Sequence, residues 1–405
     1  MSTITPDTLP AAMTRAEIQS ATSLASIFAL RMLGLFLILP VFAIHAKTLP
    51  GGDSAFLVGL AMGIYGLTQS FGQIPFGAAS DKYGRKPIII IGLILFALGS
   101  FIAAAADSML WMIIGRAVQG AGAISAAVTA FIADSTREEH RTKAMAMVGG
   151  SIGLTFAFSL VAAPLLYKVI GMGGIFALTG ILSVLGILVV LYLVPAAPAL
   201  PAARVPFSTV LRNGELMRLN YGVFALHLMQ MAMFVVVPPT LVTYLDLPVA
   251  EHWKVYLPVV LASFIVMLPP IFIGEKKGKM KQVFVGAIAL LLCVQIGMWQ
   301  FLTQPMALIG LLFAFFIAFN IMEASLPSLV SRIAPPAAKG AALGVYNTLQ
   351  ALGLFCGGAL GGWLKQHTGP NSVFILGIAL TVGWLIIASN MQNLPRRSKP
   401  QVAAA

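Results

Sequence analysis

Along almost its whole length the chain alternates between long apolar runs and short polar breaks. About 20 consecutive apolar residues cross the roughly 30 Å of a bilayer's hydrocarbon core at 1.5 Å per helical residue. Twelve runs reach that length: 23–46, 54–80, 88–106, 109–134, 143–168, 172–195, 217–245, 253–273, 282–301, 305–331, 340–366 and 370–392. A helix that is apolar all round needs lipid outside it, and a helix in lipid satisfies its own backbone groups. The pattern predicts an all-α membrane protein with twelve transmembrane helices. Because the breaks are short, consecutive spans alternate in direction. The longest internal break, about 195–215, holds Pro195, Pro198, Pro201 and Pro206 and divides the chain near its midpoint. Two six-helix bundles are expected, 23–195 and 217–392, with a cytoplasmic linker at 196–216 and tails at 1–22 and 393–405.

Composition leads to the same class. Of 405 residues, 59% are apolar and 9% charged, where a soluble domain carries about 25% charged residues. Cys293 and Cys356 fall inside spans 9 and 11, where free thiols behave as small hydrophobes, so no disulfide framework is expected. The first run outlasts a signal-peptide core and has no small-residue cleavage site, which predicts a retained span.

A net charge of +12 raises the question of nucleic acid. The placement of the bases answers it. Arg15, Lys82, Arg85, Lys86, Arg137, Arg141, Lys143, Arg204, Arg212, Arg218, Lys276, Lys277, Lys279, Lys281, Arg332, Lys339, Arg396, Arg397 and Lys399 fall on one side of the membrane. Only Lys47, Lys168, Lys254 and Lys365 fall on the other. Lys and Arg accumulate on the cytoplasmic side. Both termini are therefore predicted to be cytoplasmic, no nucleic-acid partner is expected, and the surplus is a topology signal with scope for contact with anionic lipid.

The halves also resemble each other. Asp81, Lys82, Gly84 and Arg85, in the break after the second span, match Glu275, Lys276, Gly278 and Lys279 at one constant offset, and Gly92 matches Gly286. Duplication explains the shared position within each half. Parallel repeats of this kind build carriers whose substrate site lies near the midplane between the halves.

The break Gly77-Ala78-Ala79-Ser80-Asp81-Lys82-Tyr83-Gly84-Arg85-Lys86-Pro87 resembles the G-x-x-x-D-x-x-G-R-[KR] signature between helices 2 and 3 of the major facilitator superfamily. Span 4 carries Arg116-Ala117-Val118-Gln119-Gly120, similar to the R-x-x-Q-G element of its proton-coupled drug antiporters. Span 1 carries Arg31-Met32-Leu33-Gly34 and Pro40-Val41, which look like the YajR-type branch of that group. The likeness covers essentially the whole chain, and no extra carboxy-terminal domain of the YajR kind is expected after span 12. One element departs from the pattern: the glycine-rich stretch of helix 5 appears only as Gly149, Gly153 and Ala163-Pro164. At the repeat offset, span 11 carries Gly353, Gly357, Gly358, Gly361 and Gly362. Small residues at such spacing predict close backbone packing in lipid.

The resemblance implies the major facilitator fold of two pseudo-symmetric six-helix bundles, and a latch built from Gly77, Asp81, Gly84, Arg85 and Asp134. In that family the aspartate also faces the amino end of helix 11, here near Gly340, where the helix dipole favours an anion. The alternative for these charges is a solvated role in topology alone.

Glu323 is the one acid placed deep within a span, about eight residues or 12 Å from the cytoplasmic end of span 10. Its ionised form is costly there, so proton coupling is the leading reading, with recognition of a cationic substrate or a neutral structural acid as alternatives. Pro327 cannot donate to the Glu323 carbonyl and leaves a gap in the ladder beside the acid. Arg31 and His227 lie at similar depths, and either could partner it. Arginine keeps its charge, whereas imidazole ordinarily titrates near neutral pH.

For the cavity the candidates are Arg116, Gln119, Gln69, Phe156, Met229, Gln230, Met233, Asn320, Asn347 and Gln350. Buried amides need partners in lipid-poor surroundings, and pliable Met suits varied apolar ligands; packing is the alternative for each. Kinks are expected at Pro40, Pro75, Pro164, Pro238-Pro239, Pro269-Pro270 and Pro327, and Thr14 with Glu17 has capping-box spacing.

With these residues, the resemblance implies a monomeric, proton-driven exporter of small amphiphilic or drug-like compounds in a bacterial inner membrane, and no enzyme is expected. No phosphate-binding loop, cofactor or metal site is expected. The rival readings are a facilitator or proton symporter for a metabolite, and a membrane sensor or assembly factor without transport.

Overall fold

Fourteen α-helices are formed among the described residues: α1 Arg15–Phe36, α2 Phe42–His45, α3 Ala55–Tyr83, α4 Arg85–Ala104, α5 Met109–Ala121, α6 Ser125–Ser135, α7 Glu138–Tyr192, α8 Phe207–Leu211, α9 Gly214–Leu245, α10 Trp253–Lys277, α11 Met280–Phe301, α12 Pro305–Ile333, α13 Lys339–Thr368 and α14 Ser372–Ser389. The structure is a computed structural model that describes residues 12–195, 207–335 and 338–392. Most of the expected linker (196–206), the outer part of the amino-terminal tail (1–11) and the whole carboxy-terminal tail (393–405) lie outside the described residues, with Arg204, Arg396, Arg397 and Lys399.

Ten stretches among the described residues are long and apolar enough to cross a membrane. Two adjustments relate them to the twelve expected spans. The long α7 turns at Gly171 (φ 66°), which divides it into spans 5 and 6. The second is α13, whose 30 residues include many glycines and polar side chains that dilute its hydropathy.

Helix ends show why the breaks fall where they do. Thr14 and Glu17 form the expected capping box at the start of α1, Ser54 caps α3, and Asn213 accepts from two amides at the start of α9. Gly84 has φ 95° and Gly278 has φ 67°. The two glycines that align in the repeat therefore both occupy backbone conformations that side-chain-bearing residues avoid.

Most of the prolines expected to kink a span lie inside continuous helices. The chain leaves helical form at 37–41 around Pro40, but the helix runs on through Pro75, Pro164, Pro238, Pro239, Pro269, Pro270 and Pro327. An interruption with no proline signal lies at 122–124, between α5 and α6. There Gly122 backs onto Gly92 so closely that an added Cβ would lie 2.3 Å from the Gly92 carbonyl oxygen.

In the amino-terminal group, α1 packs along α7, and α4 packs against α5 and α7. In the carboxy-terminal group, α9 packs on α13 and α14, and α11 packs on α12 and α14. Between the groups, α3 lies along α13 and α7 meets α10.

Contacts between loops pair the same ends that the basic residues mark. At the base-rich end, Lys86 donates to the Val194 carbonyl at 2.5 Å and Arg218 to the Asn390 carbonyl at 2.6 Å. At the other, base-poor end, the Met109 amide donates to the Pro50 carbonyl at 3.1 Å.

The seam between α3 and α13 lies towards the base-poor end. A Cβ on Gly59 would sit 2.0 Å from the Gly358 carbonyl oxygen, and one on Gly66 2.3 Å from that of Ala351. Gly362 meets the Ala55 carbonyl in the same way, at 2.3 Å. On its other side α13 turns Gly353 and Gly357 to the Phe224 and Leu228 carbonyls of α9. The glycines expected on span 11 therefore serve two neighbours. Gly149 and Gly153 of α7 differ: nothing among the described residues lies within 4 Å of where their Cβ atoms would be. They stand towards the base-rich end, away from the seam, so the close packing expected of them is absent in this state.

Candidate functional site

Glu323 and His227 come together between α12 and α9, with the carboxylate Oε1 3.3 Å from the imidazole Nε2. His227 is anchored by its other nitrogen, Nδ1, to the Val223 carbonyl at 2.9 Å, one turn earlier in α9. Gln350 of α13 reaches the same Nε2 at 2.7 Å through its amide nitrogen. Three helices thus converge on one ring nitrogen.

The position of this cluster relative to the other bundle follows from helical spacing. Phe316, Phe319 and Glu323 recur at three and four residues and so share one face of α12. Phe156 of α7 packs against Phe316 and Phe319 with ring centroids 6.0 and 5.4 Å away, and against Phe36 of α1 at 5.0 Å. Glu323 therefore lies on the face of α12 turned to the amino-terminal bundle, one turn from the aromatic contact towards the base-rich end. Its side chain is 25% exposed while that of His227 is 4% exposed. The acid is open on one side and backed by a buried base.

Arg31 does not join them. It is 1% exposed, its Nη1 donates to Ser125 Oγ at 2.5 Å, and its guanidinium carbon stands 5.6 Å from the centre of the Tyr65 ring. Of the two partners expected for Glu323, the fold supplies the histidine and keeps the arginine inside the amino-terminal bundle. The cause is local: α6 begins at Ser125, directly beside Arg31.

Arg116 and Gln119 are likewise turned inward and fully buried. The guanidinium donates to the Gln119 side-chain oxygen and also lies over the Tyr65 ring, 4.8 Å from its centre. Gln119 donates in turn to Ser100 Oγ at 2.8 Å. Neither side chain is exposed to an open cavity in this state.

The remaining cavity candidates divide between packing and open positions. Met229 receives a contact from Thr381 Oγ1 at 3.2 Å, Asn320 donates to Ser263 Oγ at 3.0 Å, and Met233 is buried. Gln69 and Gln230 are buried, with amide atoms that have no hydrogen-bond partner among the described residues. Asn347 and Gln350 are half-buried.

At the base-rich end, Arg85 bridges two acids. Its Nη1 meets Asp81 at 2.5 Å and its Nε meets Asp134 at 2.8 Å, while Ser80 Oγ accepts from the same Nη1 at 2.7 Å. The motif's Gly77 stands in ordinary contact with Ala126 of α6, and its Gly84 starts α4. At the amino end of α13, nothing among the described residues lies within 4 Å of where a Gly340 Cβ would be.

Several contacts were not legible in sequence. Glu17 receives Arg137 at both carboxylate oxygens, 3.0 Å each, and the Arg137 amide at 2.9 Å. That guanidinium holds the Glu17 carboxyl well below the usual carboxylate range. Arg332 pairs with Glu275 at 2.5 Å, so the carboxy-terminal copy of the motif also binds its α12 neighbour, but with acid and base exchanged. At the base-poor end Gln366 of α13 accepts from Ser54 Oγ and the Phe56 amide, both at 2.9 Å, capping α3 from the opposite bundle. The only advance signal was polarity at span ends, which does not identify partners.

Comparison with known proteins accords with this architecture. A family profile described as Major Facilitator Superfamily matches residues 24–358. The Inner membrane transport protein YajR of Escherichia coli (strain K12) is 44% identical over 95% of this chain and 85% of its own length. Multidrug resistance protein MdtH of Aeromonas salmonicida (strain A449) is 25% identical over 83% of this chain and 85% of its own. Among solved structures, the human organic anion transporter MFSD10 (TETRAN) shares the fold, with a TM-score of 0.68 and 18% identity over 92% of this chain and 99% of that one. The chain belongs to the Major Facilitator Superfamily of membrane transporters.

Proposed function

We propose that this transporter is a monomeric proton-coupled antiporter that exports small amphiphilic or drug-like compounds across a bacterial inner membrane, with both termini in the cytoplasm. The observation that carries the reading is the Glu323–His227 pair: the only acid deep in a span stands 3.3 Å from a buried imidazole, on the face turned to the other bundle. Such a site can hold a proton taken from one side and give it up on the other. Each charge moved down the membrane potential is worth about 2.3 kcal/mol per 100 mV. The name of the MdtH relative supports drug-like cargo.

In this reading the bundles 23–195 and 217–392 are the two rocking bodies. The α3–α13 seam closes the periplasmic side, and Gly149 and Gly153 of α7, with no described residue within 4 Å of their Cβ positions, face a cytoplasmic opening. When the carrier rocks, Asp81 reaches the amino end of α13 while Arg85 keeps the two acids compatible with each other. Asn347, Gln350 and the Phe156 cluster line the path between the bundles.

Transport in proteoliposomes tests the reading. With ethidium as the probe, an acid interior drives accumulation by an antiporter, whereas an acid exterior drives it by a symporter. Accumulation only with acid outside, or flux indifferent to the gradient, would contradict antiport.

A further inference from the structure

We infer that Gln350 is a positioning residue that links the protonation of the His227–Glu323 pair to the seam between the bundles. The inference rests on the proton-coupled reading of that pair. It begins from a competition for one atom. The Val223 carbonyl accepts at Nδ1, so the neutral ring carries its hydrogen there and leaves one lone pair on Nε2. Gln350 Nε2 stands 2.7 Å from His227 Nε2 and Glu323 Oε1 stands 3.3 Å from it. A single lone pair accepts one hydrogen bond.

The two protonation states consequently require different neighbours. With the ring neutral and Glu323 ionised, the Gln350 amide N–H holds Nε2. When a proton enters the pair, either the carboxylic acid donates to Nε2 or a charged ring donates from Nε2 to the carboxylate. In both cases the Gln350 N–H loses its acceptor, and the amide must turn over or withdraw.

Gln350 is placed to transmit that change. The next residue, Ala351, presents the carbonyl against which Gly66 of α3 packs, and Gly353 and Gly357 seat α13 on the Phe224 and Leu228 carbonyls that bracket His227. The same short stretch of α13 therefore touches the titrating ring on one side and the opposite bundle on the other. Few other groups compete for the effect. Tyr346 of α13, one turn before Gln350, is a buried titratable side chain whose hydroxyl has no hydrogen-bond partner among the described residues. Helix α14 carries no charged residue, those of α3, α10 and α11 lie at the helix ends, α7 presents Phe156, and His45 of α2 is engaged with Tyr167 at 3.2 Å.

The test uses the full chain in lipid nanodiscs, with Cys293 and Cys356 replaced by Ser and spin labels at Thr48→Cys and Gln304→Cys, both exposed at the base-poor end. Distance distributions are compared at pH 8 and pH 5.5. The unsubstituted Gln350 background is expected to redistribute between the two pH values, and Gln350→Leu to lose that redistribution at unchanged thermal stability. Gln350→Asn keeps the amide but shortens its reach by one methylene; it is expected to lose the response as well and serves if the leucine variant fails to insert. A full pH response in either variant overturns the role of Gln350 and leaves proton coupling intact. A background with no pH response, unaltered by Glu323→Gln, overturns the underlying reading as well.

Discussion

Gly59 and Gly358 meet backbone to backbone, so that a Cβ on Gly59 would fall 2.0 Å from the Gly358 carbonyl oxygen. No rotamer relieves such a contact, because the obstacle is main chain. Gly59→Ala should therefore force the seam apart and favour the state open at the base-poor end. Spin labels at Thr48→Cys and Gln304→Cys should report a longer mean distance than the parent. An unchanged distribution would show that the seam does not set the conformational balance.

Arg85 pairs with both Asp81 and Asp134 and so bridges two like charges. Arg85→Ala should slow exchange between states and destabilise the amino-terminal bundle. Because the three side chains are only partly buried, the coupling of Arg85→Ala with Asp134→Asn in a double-mutant cycle should be about 1 kcal/mol in thermal or denaturant unfolding. Strict additivity would reduce the cluster to a topology signal.

The Glu17–Arg137 pair makes a prediction about pH. The Glu17 carboxyl is held below its ordinary value of 4.5 by the Arg137 hydrogen bonds. Its stabilising contribution is fully present above that value and is lost as the pH falls towards the depressed folded one. Glu17→Gln should lower the melting temperature at pH 7 by an amount equivalent to about 1 kcal/mol, and the gap from the parent should narrow as the pH drops below 4.5. An equal gap at pH 7 and pH 3 would mean that the carboxylate charge is not what matters.

How far the sequence was legible depended on the range of each interaction. Membrane spans are local, so run length alone located them. Asp81 and Arg85 lie four residues apart at a helix junction, and their pairing is local too. Glu323 drew attention through its placement, since an acid inside a span is costly wherever its neighbours stand. Its partner was undecided because the choice between Arg31 and His227 depends on how α1, α9 and α12 are rotated about their axes, which apolar composition does not encode. For the same reason Arg116 and Gln119 could be placed on span 4 but not known to bond each other inside the bundle. Most prolines within the spans do not end a helix, because in transmembrane helices neighbouring groups can re-satisfy the backbone, and the break at 122–124 lies where Gly122 closely approaches Gly92.

Proton-driven ethidium accumulation by reconstituted Glu323→Gln bears most directly on the central claim. Glutamine keeps the size and polarity of the side chain but cannot gain or lose a proton at neutral pH. The variant is predicted to exchange ethidium at equilibrium yet fail to concentrate it under an imposed pH gradient. Accumulation equal to the parent, with the same dependence on pH, would contradict the account.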